Sequence, residues 1–188
     1  MNTAFIIFNQ MTALDFIGVY DPLTRLKSMG FMPEFTWDIC SLSAGVTDDK
    51  GLNFTPTKIG PSLEVYDLVV VPGGFGTRTL VHDDSFIGWL RTAAGNSLKI
   101  SVCTGSLLLG KAGFLRGKKA TTHPSAYHEL SMYCEIVVEE RVVDEGEVVT
   151  ARGVTAAIDL GLHMVGRLAG DEVRERIRQQ MDYPYRAS

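Results

Sequence analysis

One cysteine of the sequence stands where a predicted strand turns directly into a predicted helix. The segment 98–102 is rich in strand-forming residues, Cys103 follows it, and small residues then lead into an apolar run of helical character. A side chain at such a turn is held in a sharp, often strained conformation at the carboxyl edge of the sheet, as in a nucleophile elbow. The helix also directs free N–H groups and the positive end of its dipole at the sulfur. We therefore predict that Cys103 is a nucleophile with a lowered thiol pKa.

A carboxyl group is predicted to lie opposite this thiol. Asp15 follows a first apolar strand over residues 4–8, and the carboxyl ends of parallel strands meet at one edge of a sheet. A protonated carboxyl there would donate a hydrogen bond that favours the thiolate, and it would pass a proton to a substrate. Like-charge repulsion from the thiolate would raise the pKa of Asp15 and so favour the protonated form. A helix cap is the alternative role for Asp15.

Backbone donors are predicted at the same edge. Gly73 and Gly74 follow the strongest predicted strand, over residues 66–72, and glycines let backbone N–H groups approach a ligand closely. Together with the N–H of Thr104 they would form an anion-stabilising hole beside Cys103. The hydroxyl of Thr104 would position water. The alternatives are a simple turn for the two glycines and a helix cap for Thr104.

One histidine and two further cysteines complete the candidate groups. His123, within Thr-Thr-His-Pro, is a candidate for a Cys-His pair or for substrate binding, although the spacing alone does not establish contact. Free cysteine is among the most buried residue types, so a structural role is the alternative for Cys103 as well. Cys40 lies mid-strand and Cys134 just before a strand, and both are predicted to be structural.

Alternating strands and helices position these groups. Strands are predicted at 4–8, 35–42, 66–72, 98–102, 118–121, 135–138, 141–144 and 147–150, with a hairpin over 46–57. Helices are predicted at 18–30, 79–94, 105–113, 124–132, 154–168 and 171–181. Because proline is costly deep inside a helix, Pro22 places the first helix start near 18–20 and leaves Asp15 in the lead-in. Asp171 is predicted to cap the last helix. The alternation predicts an α/β sandwich with a mostly parallel sheet, in one domain over 1–188.

Composition excludes several classes of protein. Hydrophobic residues make up 45% of the chain and the net charge is -4, so no basic footprint for nucleic acid is expected. The sequence contains no run of about 18 apolar residues, so no membrane span is predicted. The start lacks the basic leader of a signal peptide. Three widely spaced cysteines suit reduced thiols in a cytoplasm better than a disulfide framework or a zinc site.

Taken together, the motifs identify the chain as similar to the ThiJ/PfpI superfamily, over nearly its whole length. The residues that carry the resemblance are Leu14-Asp15-Phe16-Ile17-Gly18, Val71-Pro72-Gly73-Gly74, Val102-Cys103-Thr104-Gly105-Ser106, Ala120-Thr121-Thr122-His123 and Gly153-Val154-Thr155-Ala156-Ala157. The resemblance implies a flavodoxin-like fold and a homodimer. It also implies a cysteine elbow at Cys103 with Asp15 as its acidic partner.

Within that superfamily the chain most resembles the isonitrile hydratase branch, which has Asp as the acidic partner and Cys-Thr-Gly at the elbow. The resemblance implies addition of water to a small molecule R–N≡C, giving an N-substituted formamide without a cofactor. Cys103 would attack the terminal carbon, Asp15 would supply a proton to the thioimidate, and water near Thr104 would release the product.

Other branches remain as alternatives. Protease-like and glyoxalase-like members typically have His directly after the cysteine and Glu as the partner, where this chain has Thr104 and Asp15. A thiol sensor, a stress-protective domain or a glyoxalase-like enzyme therefore stay open as functions. Two departures from the isonitrile hydratase branch are Pro124 after His123 and Arg152 before Gly153. An Arg152 side chain that points into the pocket would favour an anionic ligand.

Overall fold

The computed structural model describes residues 1–95 and 97–184. Its strands are β1 (Asn2–Ile6), β2 (Thr36–Ser41), β3 (Val46–Thr47), β4 (Asn53–Phe54), β5 (Lys58–Ile59), β6 (Leu68–Val71), β7 (Leu98–Val102), β8 (Lys119–Ala120), β9 (Ile136–Val137), β10 (Val142–Asp144) and β11 (Val148–Ala151). Its helices are α1 (Ala13–Ser28), α2 (Thr77–Leu80), α3 (Asp84–Arg91), α4 (Gly105–Ala112), α5 (Tyr127–Leu130), α6 (Ala156–Ala169) and α7 (Asp171–Gln180).

Seven of these strands form one sheet in the order β10-β11-β7-β6-β1-β2-β5. Neighbouring strands run parallel except for the β10–β11 pair. All four residues of β6 are buried, which requires cover on both faces of the sheet. Helices α1, α6 and α7 pack together as one group, and α2 to α5 pack around α4 as another. The predicted α/β sandwich with a mostly parallel sheet is confirmed.

The first helix begins earlier than predicted. Helix α1 starts at Ala13, so Asp15 lies in its first turn rather than in a lead-in, and Pro22 lies within the helix. Proline has no amide hydrogen to donate to the carbonyl of Gly18. That carbonyl and Pro22 both pack tightly against Gly161 of α6. A β-carbon on Gly161 would lie only 3.1 Å from the carbonyl oxygen and 2.8 Å from the proline ring. Tertiary packing against a glycine therefore offsets a local cost that the sequence pattern alone would count as decisive.

Other helix boundaries were also wrong. The single helix predicted over 79–94 is divided into α2 and α3, because the carboxylate of Asp83 accepts hydrogen bonds from the amides of Ser85 and Phe86 and caps α3. The helix predicted over 124–132 is a short 3₁₀ turn followed by α5. Helix α7 begins at Asp171 itself, after Gly170, and Asp171 does not cap it. The short edge strand β5 was not predicted.

The described part of the chain contains no helix that is long and apolar enough to cross a membrane. Cys40, Cys103 and Cys134 are all free thiols, and Cys40 is buried. The single domain over 1–188 stays a prediction, and residues 96 and 185–188 lie outside the described part.

Candidate active site

The elbow at Cys103 has a strained backbone. Its φ is 56°, in the left-handed region that non-glycine residues seldom adopt. The amide of Cys103 donates to the carbonyl of Ala151 at 3.0 Å, and the hydroxyl of Thr122 donates to the carbonyl of Cys103 at 2.8 Å. A β-carbon on Gly105 would lie 2.4 Å from the carbonyl oxygen of Val71, so only glycine lets α4 begin this close to β6. Both backbone groups of the cysteine are thus held, as the elbow prediction requires.

Asp15 lies fully buried at the same edge of the sheet. Its Oδ2 accepts a hydrogen bond from the amide of Gly73 at 3.1 Å, while its Oδ1 is buried with no hydrogen-bond partner in the described part of the chain. Burial raises the pKa of Asp15 to about 7, outweighing the hydrogen bonds from Gly73 and the Cys103 thiol, which lower it. The predicted rise is confirmed, although its main cause is burial rather than like-charge repulsion. The carboxyl accepts from Gly73 across the site and does not cap α1.

The predicted lowering of the Cys103 pKa was wrong. Burial raises the pKa of this thiol to about 12, and the negative charge of Asp15 adds to the rise. The amide and hydroxyl of Thr104 lower the pKa by hydrogen bonding, but by less. The helix terminus acts on a side chain that is only 6% exposed, so loss of hydration dominates. Because the two groups are coupled, protonation of Asp15 removes the charge that opposes thiolate formation.

The two glycines and Thr104 join the β6 and β7 loops. The amide of Gly74 donates to the hydroxyl oxygen of Thr104 at 3.0 Å, as the amide of Gly73 donates to Asp15. Both glycine amides therefore have acceptors within the protein, and their predicted role in an anion hole stays a prediction. The amide of Thr104 hydrogen-bonds the Cys103 sulfur. Thr104 stands at the N-cap of α4, yet its side chain makes no capping hydrogen bond.

His123 lies on the other side of the sulfur. A β-carbon on Gly153 would lie 2.8 Å from the sulfur of Cys103 and 2.9 Å from Cδ2 of His123, so all three residues converge. The Nδ1 of His123 accepts from the amide of Ser125 at 3.3 Å and lies 2.8 Å from its hydroxyl. This places the ring in the wall of the site, and a catalytic role for His123 stays a prediction. The sequence analysis did not predict that position 153 needs glycine to leave room for the sulfur and the ring. The available signal was that Gly153 closely follows the strand β11, which pairs with β7.

The two departures from the resembling branch have structural accounts. Arg152 is half-buried, donates to the carbonyl of Glu139 at 3.3 Å and lies 5.9 Å from the ring centre of Tyr127. These contacts occupy the guanidinium without an anionic ligand. Pro124 is the first residue of the 3₁₀ turn that follows His123, a position where proline is well tolerated.

A charged turn also reaches the site. The hydroxyl of Thr12, at the start of α1, donates to the carboxylate of Asp49 at 3.2 Å, and Lys50 pairs with Asp49 at 2.5 Å. The charge of Asp49 adds to the pKa rise of Asp15, and that of Lys50 partly cancels it. The hairpin β3–β4 was predicted, but its approach to Asp15 was not. The contact joins Thr12 to Asp49, and no sequence pattern links these two segments.

A mostly parallel α/β sandwich with a strained cysteine elbow and a buried acid in the first turn of the first helix defines a class of flavodoxin-like proteins. The chain belongs to the DJ-1/PfpI family, whose family model matches residues 1–167. This bears out the resemblance found in the sequence.

Individual relatives are similar over most of their length. The chain is 37% identical over 186 residues to an isonitrile hydratase of Pseudomonas putida, covering 97% of this chain and 78% of that protein. It is 30% identical over 150 residues to Protein DJ-1alpha of Drosophila melanogaster, covering 78% of this chain and 66% of that protein. A ThiJ/PfpI family crystal structure from Pseudomonas syringae matches with a TM-score of 0.88 at 31% identity, covering 99% of this chain and 76% of that one.

Proposed function

We propose that the chain is an isonitrile hydratase, which adds water to R–N≡C and releases R–NH–CHO. The observation that carries the proposal is the buried pair of Asp15 and Cys103, in which the carboxyl pKa is raised to about 7. Such an acid is about half protonated at pH 7, far more than an ordinary carboxyl, and still gives up its proton readily, which is what proton transfer to a substrate carbon requires. The 37% identity to an isonitrile hydratase of Pseudomonas putida supports the same activity.

The first half of the reaction forms a thioimidate. The sulfur of Cys103 attacks the terminal carbon of the isonitrile, and the proton held by the Cys103–Asp15 pair moves to that carbon. The product is R–N=CH–S–Cys103, and Asp15 keeps a proton, because the protonated pair holds one proton on each group and only one of the two moves to carbon. The thiol proton has become the formyl hydrogen, so no oxidant or reductant is needed.

The second half adds water across the C=N bond. The protonated carboxyl of Asp15 donates its proton to nitrogen and takes one from water as the water oxygen attacks the thioimidate carbon. The tetrahedral R–NH–CH(OH)–S–Cys103 then loses its hydroxyl proton, through Asp15, to the departing sulfur. The formamide leaves and the thiol is restored.

The burial of the pair favours an uncharged substrate. Asp15 is fully buried and Cys103 is 6% exposed, so an ionic group brought beside them would lose its hydration without a charged partner of its own. A neutral isonitrile carries no such cost. Arg152, whose guanidinium contacts Glu139 and Tyr127, gives no support for an anionic substrate.

The test is loss of cyclohexyl isocyanide with formation of N-cyclohexylformamide, for the wild type and Asp15→Asn side by side. Turnover by the wild type that collapses in the variant supports the lyase and the proton role of Asp15. Absence of turnover in the wild type would overturn the proposal. Oxidation of Cys103 by peroxide without turnover would then favour a thiol sensor, and turnover of glyoxals a glyoxalase-like enzyme. The homodimer and the cytoplasmic location also remain proposals, the first testable by light scattering.

A further inference from the structure

A second threonine lies behind Thr104. The side chain of Thr77, the first residue of α2, is fully buried. Its hydroxyl oxygen lies 2.8 Å from the carbonyl oxygen of Gly74 and 3.0 Å from the hydroxyl oxygen of Thr104. The Thr104 hydroxyl lies 3.1 Å from the same carbonyl. Two hydroxyl groups therefore compete for one carbonyl oxygen in a buried place.

The number of hydrogens decides the arrangement, because each hydroxyl has one and a carbonyl oxygen has two lone pairs. The carbonyl of Gly74 already accepts from the amide of Thr77 at 3.2 Å. The shorter of the two hydroxyl contacts is that of Thr77, so its hydrogen fills the second lone pair. The Thr104 oxygen accepts from the amide of Gly74, and its own hydrogen is left for another acceptor.

Two acceptors remain within reach of the Thr104 hydrogen. One is the hydroxyl oxygen of Thr77, and the other is the sulfur of Cys103, whose pKa the Thr104 hydroxyl lowers by hydrogen bonding. A hydrogen bond to a charged acceptor is roughly twice as strong as one between neutral groups. The hydrogen therefore turns to the sulfur when the thiolate forms, and back to Thr77 when the sulfur is neutral.

We propose that Thr77 is a positioning residue, which occupies the carbonyl of Gly74 and so leaves the hydroxyl of Thr104 free to donate to the Cys103 thiolate. Without the Thr77 hydroxyl, the Thr104 hydrogen turns to the vacated carbonyl lone pair and the thiolate loses a donor. This deepens the proposed function and rests on it for its effect on turnover. Its effect on the thiolate itself is independent of what the substrate is.

The test is the pH dependence of Cys103 alkylation by iodoacetamide, followed by mass spectrometry of the Cys103 peptide. The variants are Thr77→Val, Thr104→Val and the double variant, with Thr77→Ser as the conservative replacement. Thr79→Val makes the same change at an exposed position of the same helix and is the matched control. Circular dichroism and thermal unfolding check that each variant is folded.

We expect Thr77→Val to raise the apparent pKa of Cys103 by about one unit, which lowers the alkylation rate about tenfold at a fixed pH below it. Thr77→Ser and Thr79→Val should keep the wild-type profile. Thr104→Val should raise the apparent pKa by at least the same amount. The double variant should show no larger shift than Thr104→Val alone, because both substitutions remove the same hydrogen bond, from the Thr104 hydroxyl to the thiolate.

Two results would overturn the proposal. One is an unchanged profile in folded Thr77→Val, and the other is a Thr77→Val shift that persists in full when Thr104 is already Val. Because the readout is alkylation, either result leaves the isonitrile question open. Conversely, a wild type that fails to hydrate isonitriles but shows the predicted shifts would refute the proposed function and retain the role of Thr77.

Discussion

The ionised carboxyl of Asp15 raises the pKa of the Cys103 thiol, whereas the thiol, by hydrogen bonding, lowers the pKa of Asp15. The two residues are 88 positions apart in the sequence and are brought together by β1 and β7, which flank β6 in the sheet. A pair of this kind titrates as a unit rather than as two separate groups. One proton of this pair is the one that the proposed reaction moves to the isonitrile carbon.

Removal of the sulfur should abolish turnover. In Cys103→Ala no thioimidate can form, and we expect isonitrile hydration to fall to the uncatalysed background, measured as formamide production. Cys134→Ala is the matched control, because that thiol is half-buried and contacts the carbonyl of Leu130 rather than the site. Hydration by Cys103→Ala above the background would refute the covalent route.

Replacement of the acid should lower the catalytic rate and remove its pH dependence. Loss of a general acid typically costs about 10²- to 10⁴-fold in rate, so kcat of Asp15→Asn should fall within that range. In the wild type the rate should decline as the pH rises through about 7, because the protonated carboxyl is the active form. Asp21→Asn changes an acid on the same helix that pairs with Arg25, and it should leave the profile unaltered. A wild-type rate that increases through this pH range would contradict the acid role.

Asp15 should also make stability depend on pH, with a sign opposite to that of most carboxyls. Its folded pKa of about 7 lies above the ordinary value of 3.8, so the folded state binds the proton more tightly. The contribution of Asp15 to the free energy of unfolding should therefore be largest below about pH 4 and fall by about 1.4 kcal/mol per pH unit up to about pH 7. Urea unfolding at pH 5 and pH 7 should show this loss in the wild type. The matching comparison is Asp15→Asn, in which this contribution is absent, and an equal slope in both proteins would count against a raised pKa.

A β-carbon at position 153 should damage the site. In Gly153→Ala the new atom would lie within 3 Å of the Cys103 sulfur and of the His123 ring, so one of the two must move. We expect kcat/KM to fall at least about tenfold and the free energy of unfolding to fall by about 1–3 kcal/mol, as for an overpacked core. Gly88→Ala adds the same atom on α3 with nothing within 4 Å, and should be neutral or slightly stabilising. Unchanged activity in Gly153→Ala would show that the sulfur and the ring yield without cost.

The features that the sequence predicted well are local ones. The elbow at Cys103 depends on a strand, a turn and a helix within about 15 consecutive residues, and β6 is a continuous apolar run of the kind that only a sheet covered on both sides tolerates. The sheet-edge rule then placed Asp15 near the thiol without any knowledge of side-chain contacts.

The features that the sequence did not predict depend on tertiary packing. The pKa of Cys103 rises because other segments exclude water from the sulfur, and no pattern around residue 103 measures that burial. Pro22 is accommodated inside α1 because a glycine of α6 faces it. The hydroxyl of Thr77 contacts Thr104 across 27 positions of sequence, and at the level of residue types Thr77 is an ordinary threonine at a helix start.

At Cys103 the left-handed backbone favours glycine, whereas the proposed reaction requires a cysteine side chain. An L-amino acid in this conformation costs roughly 1–2 kcal/mol relative to glycine, so glycine at position 103 would relieve the backbone strain. Stabilising designs that optimise each backbone position separately would choose glycine there and discard the nucleophile. Substitutions that aim at higher thermal stability of this protein should therefore leave position 103 unchanged and be made in helices away from the elbow.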